Sequence, residues 1–135
     1  MCGRRYLKHK FEGLLYLSLF LIKSKLRSCP LFYLLEAIEI VKPVVGLKFI
    51  KNRQKNRKIC KIVAIPYVQT ISFQYSRGLF WLIKSIKLRF ESMFSYRFVY
   101  ELYFINTLGM SNAVEKKLEL YKYAVMFKTS KRFKW

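Results

Sequence analysis

Aspartate is absent from this 135-residue chain, and seven glutamates (Glu12, Glu36, Glu39, Glu91, Glu101, Glu115 and Glu119) are its only side-chain carboxylates. Histidine occurs once, as His9, and no glycine-rich phosphate loop interrupts the chain, which has only five glycines. These shortages leave little for catalysis. Acid–base chemistry needs paired carboxylates or a histidine held beside a partner, and nucleotide chemistry needs a phosphate cradle. Glu36 and Glu39 share a helix face, yet no histidine or further carboxylate joins them. Neither a metal site nor a cofactor is expected. Cys2, Cys29 and Cys60 are odd in number and lack a CxxC pair, so they read as reduced, incidental thiols. The chain is not expected to be an enzyme.

Long apolar runs are scarce too. The longest near the start, Leu14–Ile22, is too short to span a bilayer. It follows Arg4, Arg5, Lys8 and Lys10 as a secretory signal would, but Lys23, Lys25 and Arg27 come after it in place of a small-residue cleavage site. A buried helix is the better reading, and no membrane insertion is expected.

Cations are abundant. Twenty-seven Lys and Arg give a net charge of +20 and a pI near 10.1. They are spread along the chain rather than gathered in a tail, and 53% hydrophobic with 18% aromatic residues argues against disorder. The composition describes one folded domain with several basic faces, each needing a polyanionic partner. Nucleic acid is the first candidate and an anionic membrane surface the second. The densest patch lies between Lys48 and Lys61, where Lys48, Lys51, Arg53, Lys55, Arg57, Lys58 and Lys61 occur without an acid. Extended apolar runs flank it, Val44–Leu47 before and Ile62–Pro66 after, so residues 44–66 read as a long hairpin with a basic tip.

Periodicity predicts helices around that hairpin. Residues 7–26 form the first, and Pro30 suits the opening turn of a second, Leu31–Val41, with Leu31, Leu34, Leu35, Ile38 and Val41 inward. A third runs about 71–90 with Leu79, Leu82, Ile83, Ile86 and Phe90 as its stripe, and Lys84, Lys87, Arg77 and Arg89 outside it. A fourth covers 94–107, with Phe94, Phe98, Leu102 and Ile105 inward, Arg97 and Glu101 paired, and Gly109 at its end. Ser111-Asn112 caps a fifth, about 112–131, with Val114, Leu118, Tyr121 and Val125 inward and Lys116, Lys117 and Lys122 on its other face. The fold class expected is mainly α, a five-helix bundle-like single domain with one projecting basic β-hairpin between the second and third helices. Cations interleaved with aromatics suit RNA, because lysine and arginine attract phosphates while rings stack on unpaired bases. Trp81, Phe94 and Phe98 read as core, whereas Phe133 and Trp135 lie beyond the last clear stripe beside Lys131, Arg132 and Lys134.

With this order laid out, the chain resembles the universal small-subunit ribosomal protein seven family. Ala37-Ile38-Glu39-Ile40-Val41-Lys42-Pro43 is similar to that family's Ala-Leu-Glu-Asn-Val-(Lys/Arg)-Pro, and Ile65-Pro66 to the Val-Pro of its returning strand. Trp81-Leu82-Ile83, followed by Lys87 and Arg89, resembles its Arg-Trp-(Ile/Leu)-Val and paired bases. Arg97, Glu101-Leu102 and the run Ala113-Val114-x-Lys116-Lys117-x-Glu119-Leu120-x-Lys122-x-Ala124 follow in step, closing on Phe133-Lys134-Trp135. The likeness spans roughly residues 6–135 and lacks the family's N-terminal basic arm. Thr70-Ile71 and Phe73-Gln74 stand where the family has Arg-Pro and Arg-Arg, with Arg77 as partial compensation.

The resemblance implies a structural protein of the small ribosomal subunit that binds small-subunit rRNA in the 3′ major domain, the head. The hairpin, through Lys51–Lys58, would line the exit-site tRNA and mRNA path beside neighbouring head and platform proteins, including ribosomal protein eleven, while Lys116, Lys117 and Lys122 would brace rRNA. The residues expected to bind RNA are Arg4, Arg5, Lys8, Lys10, Lys48, Lys51, Arg53, Lys55, Arg57, Lys58, Lys61, Arg77, Lys84, Lys87, Arg89, Lys116, Lys117, Lys122, Lys131, Arg132, Lys134 and Trp135. No homo-oligomer is implied. The A+T-rich flavour of the composition points to an organellar ribosome, mitochondrial in preference to plastid. A basic membrane-associated protein and a free-standing RNA-binding protein are the rival readings.

Overall fold

The computed structural model describes residues 2–53 and 60–128, with side chains at 7–50 and 63–128. Five α-helices and one hairpin follow in the expected order: α1 Cys2–Leu26, α2 Pro30–Val41, β1 Val45–Arg53, β2 Cys60–Val68, α3 Ile71–Leu88, α4 Phe94–Tyr103 and α5 Asn112–Phe127. The mainly helical class and the place of the hairpin between α2 and α3 are as the periodicity predicts.

Local chemistry sets most boundaries. Pro30 opens α2, where its missing N–H leaves no bond unmade, and Lys42-Pro43 ends it after the Lys42 N–H donates to the Ile38 carbonyl at 2.8 Å. A π-helical turn, Phe104–Leu108, prolongs α4 until Gly109 adopts φ 63°, a left-handed conformation that glycine enters without a Cβ clash. Ser111 caps α5, its hydroxyl accepting from the N–H groups of Ala113 and Val114 at 3.2 and 3.3 Å.

All five helices contribute to one core. Ile22 of α1, Ala37 and Val41 of α2, Leu82 and Ile86 of α3, Phe98, Val99 and Leu102 of α4, Ile105 of the π turn and Ala113 of α5 are buried together. Small polar residues let α1 and α4 approach closely. Ser18 and Ser95 are both buried, and each hydroxyl donates to the Leu14 carbonyl. Trp81 and Phe94 pack partly buried against this core.

β1 and β2 pair antiparallel from Val45↔Val68 to Arg53↔Cys60. The return strand continues two residues past Pro66, which is tolerated because a two-stranded ribbon has only edges. At about 3.4 Å per residue the ribbon is roughly 30 Å long. On the helical body it packs mainly against α5. Gly78 allows α3 to pass directly under the start of the hairpin: a Cβ there would lie 3.1 Å from the Lys42 Cα.

The structure corrects the facing of several stripes. In α2, Leu31 and Leu35 are exposed and Ala37 is buried instead. In α3 the inward residues are Gln74, Gly78, Leu82, Ser85 and Ile86, while Leu79 and Ile83 are exposed; the helix ends at Leu88, so Phe90 lies beyond it and is exposed too. The serine and glycine positions, suited by size rather than by hydropathy, carry the close helix approaches. α5 keeps part of the expected face, with Val114 packed against the core and Tyr121 half-buried, but Leu118 and Val125 are exposed. Ala113 is buried and Leu118 is 53% exposed. Alanines at 113 and 124 and the stem of Lys117 allow a closer approach to the body than the bulkier Leu118 and Val125 would.

Replacing Leu102 by Ala should lower stability by about 2–5 kcal/mol, because a fully buried branched side chain leaves a cavity. Leu118→Ala should stay within ~0.5 kcal/mol. Urea unfolding followed by circular dichroism checks both, and a loss at Leu118 rivalling that at Leu102 would contradict the observed facing of α5.

Candidate nucleic-acid interface

The hairpin is aimed by a polar latch at its base. Lys42, at the end of α2, forms an ion pair with Glu39 one turn earlier. The Tyr75 hydroxyl of α3 donates to the same carboxylate, and the Lys42 ammonium sits 4.5 Å from the centre of the Tyr75 ring. The Lys42 ammonium beside Glu39, reinforced by the Tyr75 hydroxyl, holds its carboxyl below the usual range, and Glu39 raises Lys42 in turn. From α5, Lys117 donates to the Ile40 carbonyl at 2.7 Å, placing a cation at the negative end of α2. Tyr121 accepts from the Val44 N–H at 3.1 Å through its hydroxyl oxygen. α3 and α5 therefore both hold residues 39–44, the end of α2 from which the hairpin departs.

Along the ribbon, Lys48 is exposed on β1. Lys51 and Arg53 lie on β1 and Lys61 on β2, where the backbone register pairs Lys51 with Ile62, Asn52 with Lys61 and Arg53 with Cys60. Lys55, Arg57 and Lys58 lie outside the described residues, as do Lys131, Arg132, Lys134 and Trp135. Arg4 and Arg5 are on the first turns of α1. Lys8 and Lys10 are exposed on the same helix, Lys8 within 3.9 Å of Glu12. Lys84 and Lys87 are exposed on α3 with Arg77 half-buried beside them, and Lys122 is exposed on α5 with Lys116 half-buried.

Two expected RNA-facing cations turn inward instead. Arg89 is gripped by two carboxylates: its Nη1 donates to Glu101 at 2.9 Å, and its Nη2 and Nε donate to Glu91 at 2.6 and 3.0 Å. Its guanidinium also lies 4.9 Å from the centre of the Phe104 ring. The Glu101 side chain is only 3% exposed and accepts a further bond from the Ser85 hydroxyl. Glu91 raises the Arg89 guanidinium, while Arg89 holds the Glu91 carboxyl below its ordinary range. A cation neutralised in this way is not offered to phosphate. The expected Arg97–Glu101 pair is corrected at the same time, since Arg97 donates through Nε to the Glu91 carbonyl. Glu101 answers a residue twelve positions back, not four.

Lys117 is the second correction. Its ammonium is bound to the α2 carbonyl rather than braced outward, and burial pushes its pKa down, with the nearby Lys42 charge adding to the effect. Sequence reasoning also missed Tyr75, and it gave Tyr121 only as an inward residue of the fifth helix, without its bond to Val44. The only local signal was Lys42 three residues after Glu39; the tyrosines arrive from 33 or more positions away.

Among the described residues no helix is long and apolar enough to cross a membrane. No protein-family model matches the chain, and no curated protein matches it.

Arg89→Ala should destabilise the fold by about 3–5 kcal/mol, because it strands the Glu101 charge in the interior. Thermal or urea unfolding measures it. A loss below about 1 kcal/mol would show the pair to be dispensable. Stability should also fall in acid. Glu91 titrates lower in the folded chain than unfolded, so its contribution is complete above the ordinary value of 4.5 and is lost as pH falls through the depressed folded value. Unfolding midpoints of the parent and Glu91→Gln should converge across that acidic window, and parallel curves would contradict the assignment.

Proposed function

We propose that this chain is a structural component of the small ribosomal subunit. It binds small-subunit rRNA in the 3′ major domain and supports assembly of the head and translation. The carrying observation is the latched hairpin, two nine-residue strands anchored by α2, α3 and α5 and continuing into a segment with no carboxylate. Such an arm reaches beyond the protein's own surface, where phosphates supply the counter-charge that the chain lacks. The ordered likeness to the ribosomal protein seven family supports the same reading. On it, Lys48–Lys61 serve rRNA and the exit-site tRNA and mRNA path, and Lys84, Lys87, Lys116 and Lys122 brace rRNA from the helical body. Neighbouring head and platform proteins, ribosomal protein eleven among them, complete the surroundings. The composition favours the mitochondrial ribosome over the plastid one.

The mechanism is neutralisation and shape recognition. Cations on separate helices and on the arm hold RNA segments whose mutual repulsion would otherwise open the junction.

Co-migration with the small subunit through a moderate-salt gradient tests the assignment, and recovery only in detergent-extracted membranes would overturn it. Charge reversal at Lys51, Arg53, Lys55, Arg57 and Lys58 should weaken binding to small-subunit rRNA. It should also flatten the salt dependence by about 0.7–0.9 in log–log slope for each phosphate no longer neutralised. An unchanged slope would remove the arm from the interface.

A further inference from the structure

Away from the hairpin, the outer side of α3 carries a stripe of alternating chemistry. Phe73, Arg77, Phe80, Lys84 and Lys87 recur at three- and four-residue spacing and so share one face of the helix. The opposite face, with Gln74, Gly78, Leu82, Ser85 and Ile86, is buried in the core. Phe73 is 60% exposed and Phe80 63%, so neither ring is used by the fold. α3 contains no acidic residue, and among the described residues no carboxylate lies within salt-bridge distance of Arg77, Lys84 or Lys87.

We propose that this stripe is a binding surface for an unpaired stretch of RNA, with bases stacked on Phe73 and Phe80 and phosphates held by Arg77, Lys84 and Lys87. The inference rests on the RNA-binding reading above, which already gives Lys84 and Lys87 to phosphate, and adds the two stacking rings and a preference for unpaired nucleotides. Seven residues of α-helix separate the rings by about 10.5 Å. That is about three base steps of roughly 3.4 Å, so one strand can lay separate bases on the two rings. The cation between the rings and the two beyond them meet the backbone that runs alongside. A duplex keeps its base faces covered and would gain only the attraction to phosphate, so the rings select unpaired nucleotides. A lipid surface fits less well. An interfacial helix lays its apolar face on the bilayer, whereas α3 has buried Leu82 and Ile86 in the core and interposes Arg77 between its outer rings.

Fluorescence anisotropy of the full chain with a labelled 12-nucleotide single-stranded RNA and with a blunt RNA duplex tests the surface. Phe73→Ala and Phe80→Ala should each weaken single-strand binding by roughly 5- to 150-fold, the range found for one stacked base. Duplex affinity and the salt slope should not change. Because the hairpin also attracts RNA, Phe80→Trp provides a local readout, with emission quenched by the single strand beyond any quenching in the parent. Unchanged single-strand affinity in the alanine variants, together with no added quenching in the Phe80→Trp variant, would overturn the stacking surface while leaving the RNA-binding reading intact. Equal losses on single strand and duplex would also overturn it. Loss of binding to phosphatidylserine vesicles, with oligonucleotide affinity unchanged, would reassign the stripe to a lipid surface. Salt-independent or absent RNA binding by the parent would overturn both readings.

Discussion

The excess of cations over carboxylates is the constraint on which the rest of this structure depends. Twenty-seven lysines and arginines cannot be neutralised internally by seven glutamates, and the 135-residue chain keeps a net charge of +20. Three of the seven glutamates, Glu39, Glu91 and Glu101, are used at structural joints. Glu101 and Glu91 hold Arg89 at the junction of α3 and α4, Glu39 holds Lys42 at the base of the hairpin, and Glu12 sits beside Lys8 and His9 on α1. The buried joint is the demanding one, since Glu101 would be strongly disfavoured without its guanidinium. Exposed pairs such as Lys8–Glu12 contribute little. Among the described residues Lys8, Lys10, Lys84, Lys87 and Lys122 stay exposed on helix faces and Lys48 on the hairpin, where mutual repulsion opposes folding.

The latch at the base of the hairpin connects packing to reach. A two-stranded ribbon is marginal by itself and has no fixed direction relative to a helical body. Direction comes from residues 39–44, which α3 holds through Tyr75 and α5 through Tyr121 and Lys117. Gly78 brings α3 close enough for Tyr75 to reach Glu39. The chemistry of the latch is short-range and directional, so the roughly 30 Å ribbon leaves the body at a set angle. Without that grip, a basic arm would search a wide volume and lose conformational entropy on binding.

Element order was legible in the sequence because its signals are local. Pro30, Pro43, Gly109 and Ser111 act on their immediate neighbours, and the structure places helix ends beside each of them. Facing was less legible. α3 and α5 each present more than one apolar stripe, and hydropathy alone ranks Leu118 and Val125 above Ala113 and Ala124. Close packing reverses that ranking, since the small residue permits the nearer approach. The fate of Arg89 was hidden for a related reason. Its partners lie two and twelve positions ahead, and the second becomes a neighbour only once α4 folds back on α3. A cation at the end of a helix therefore carries the same sequence signature whether it faces phosphate or a buried glutamate.

The exposed apolar residues follow from the same economy of acids and bases. Phe11, Tyr16 and Phe20 on α1, Leu31 and Phe32 on α2, and Phe73 and Phe80 on α3 all stand outside the core. In a free small domain this much uncovered ring surface, without carboxylates to keep copies apart, favours association. The high positive charge counters it, because like-charged copies repel over a Debye length of about 8–10 Å. On the proposed function, rings and cations together form a surface that is tolerated alone and that one large anionic partner would complete. Phosphates of the proposed RNA partner would remove the repulsion, and bases or neighbouring protein surfaces would then cover the rings. The order matters physically: electrostatic attraction acts at long range and brings the partner in, and stacking acts only at close approach and fixes the register.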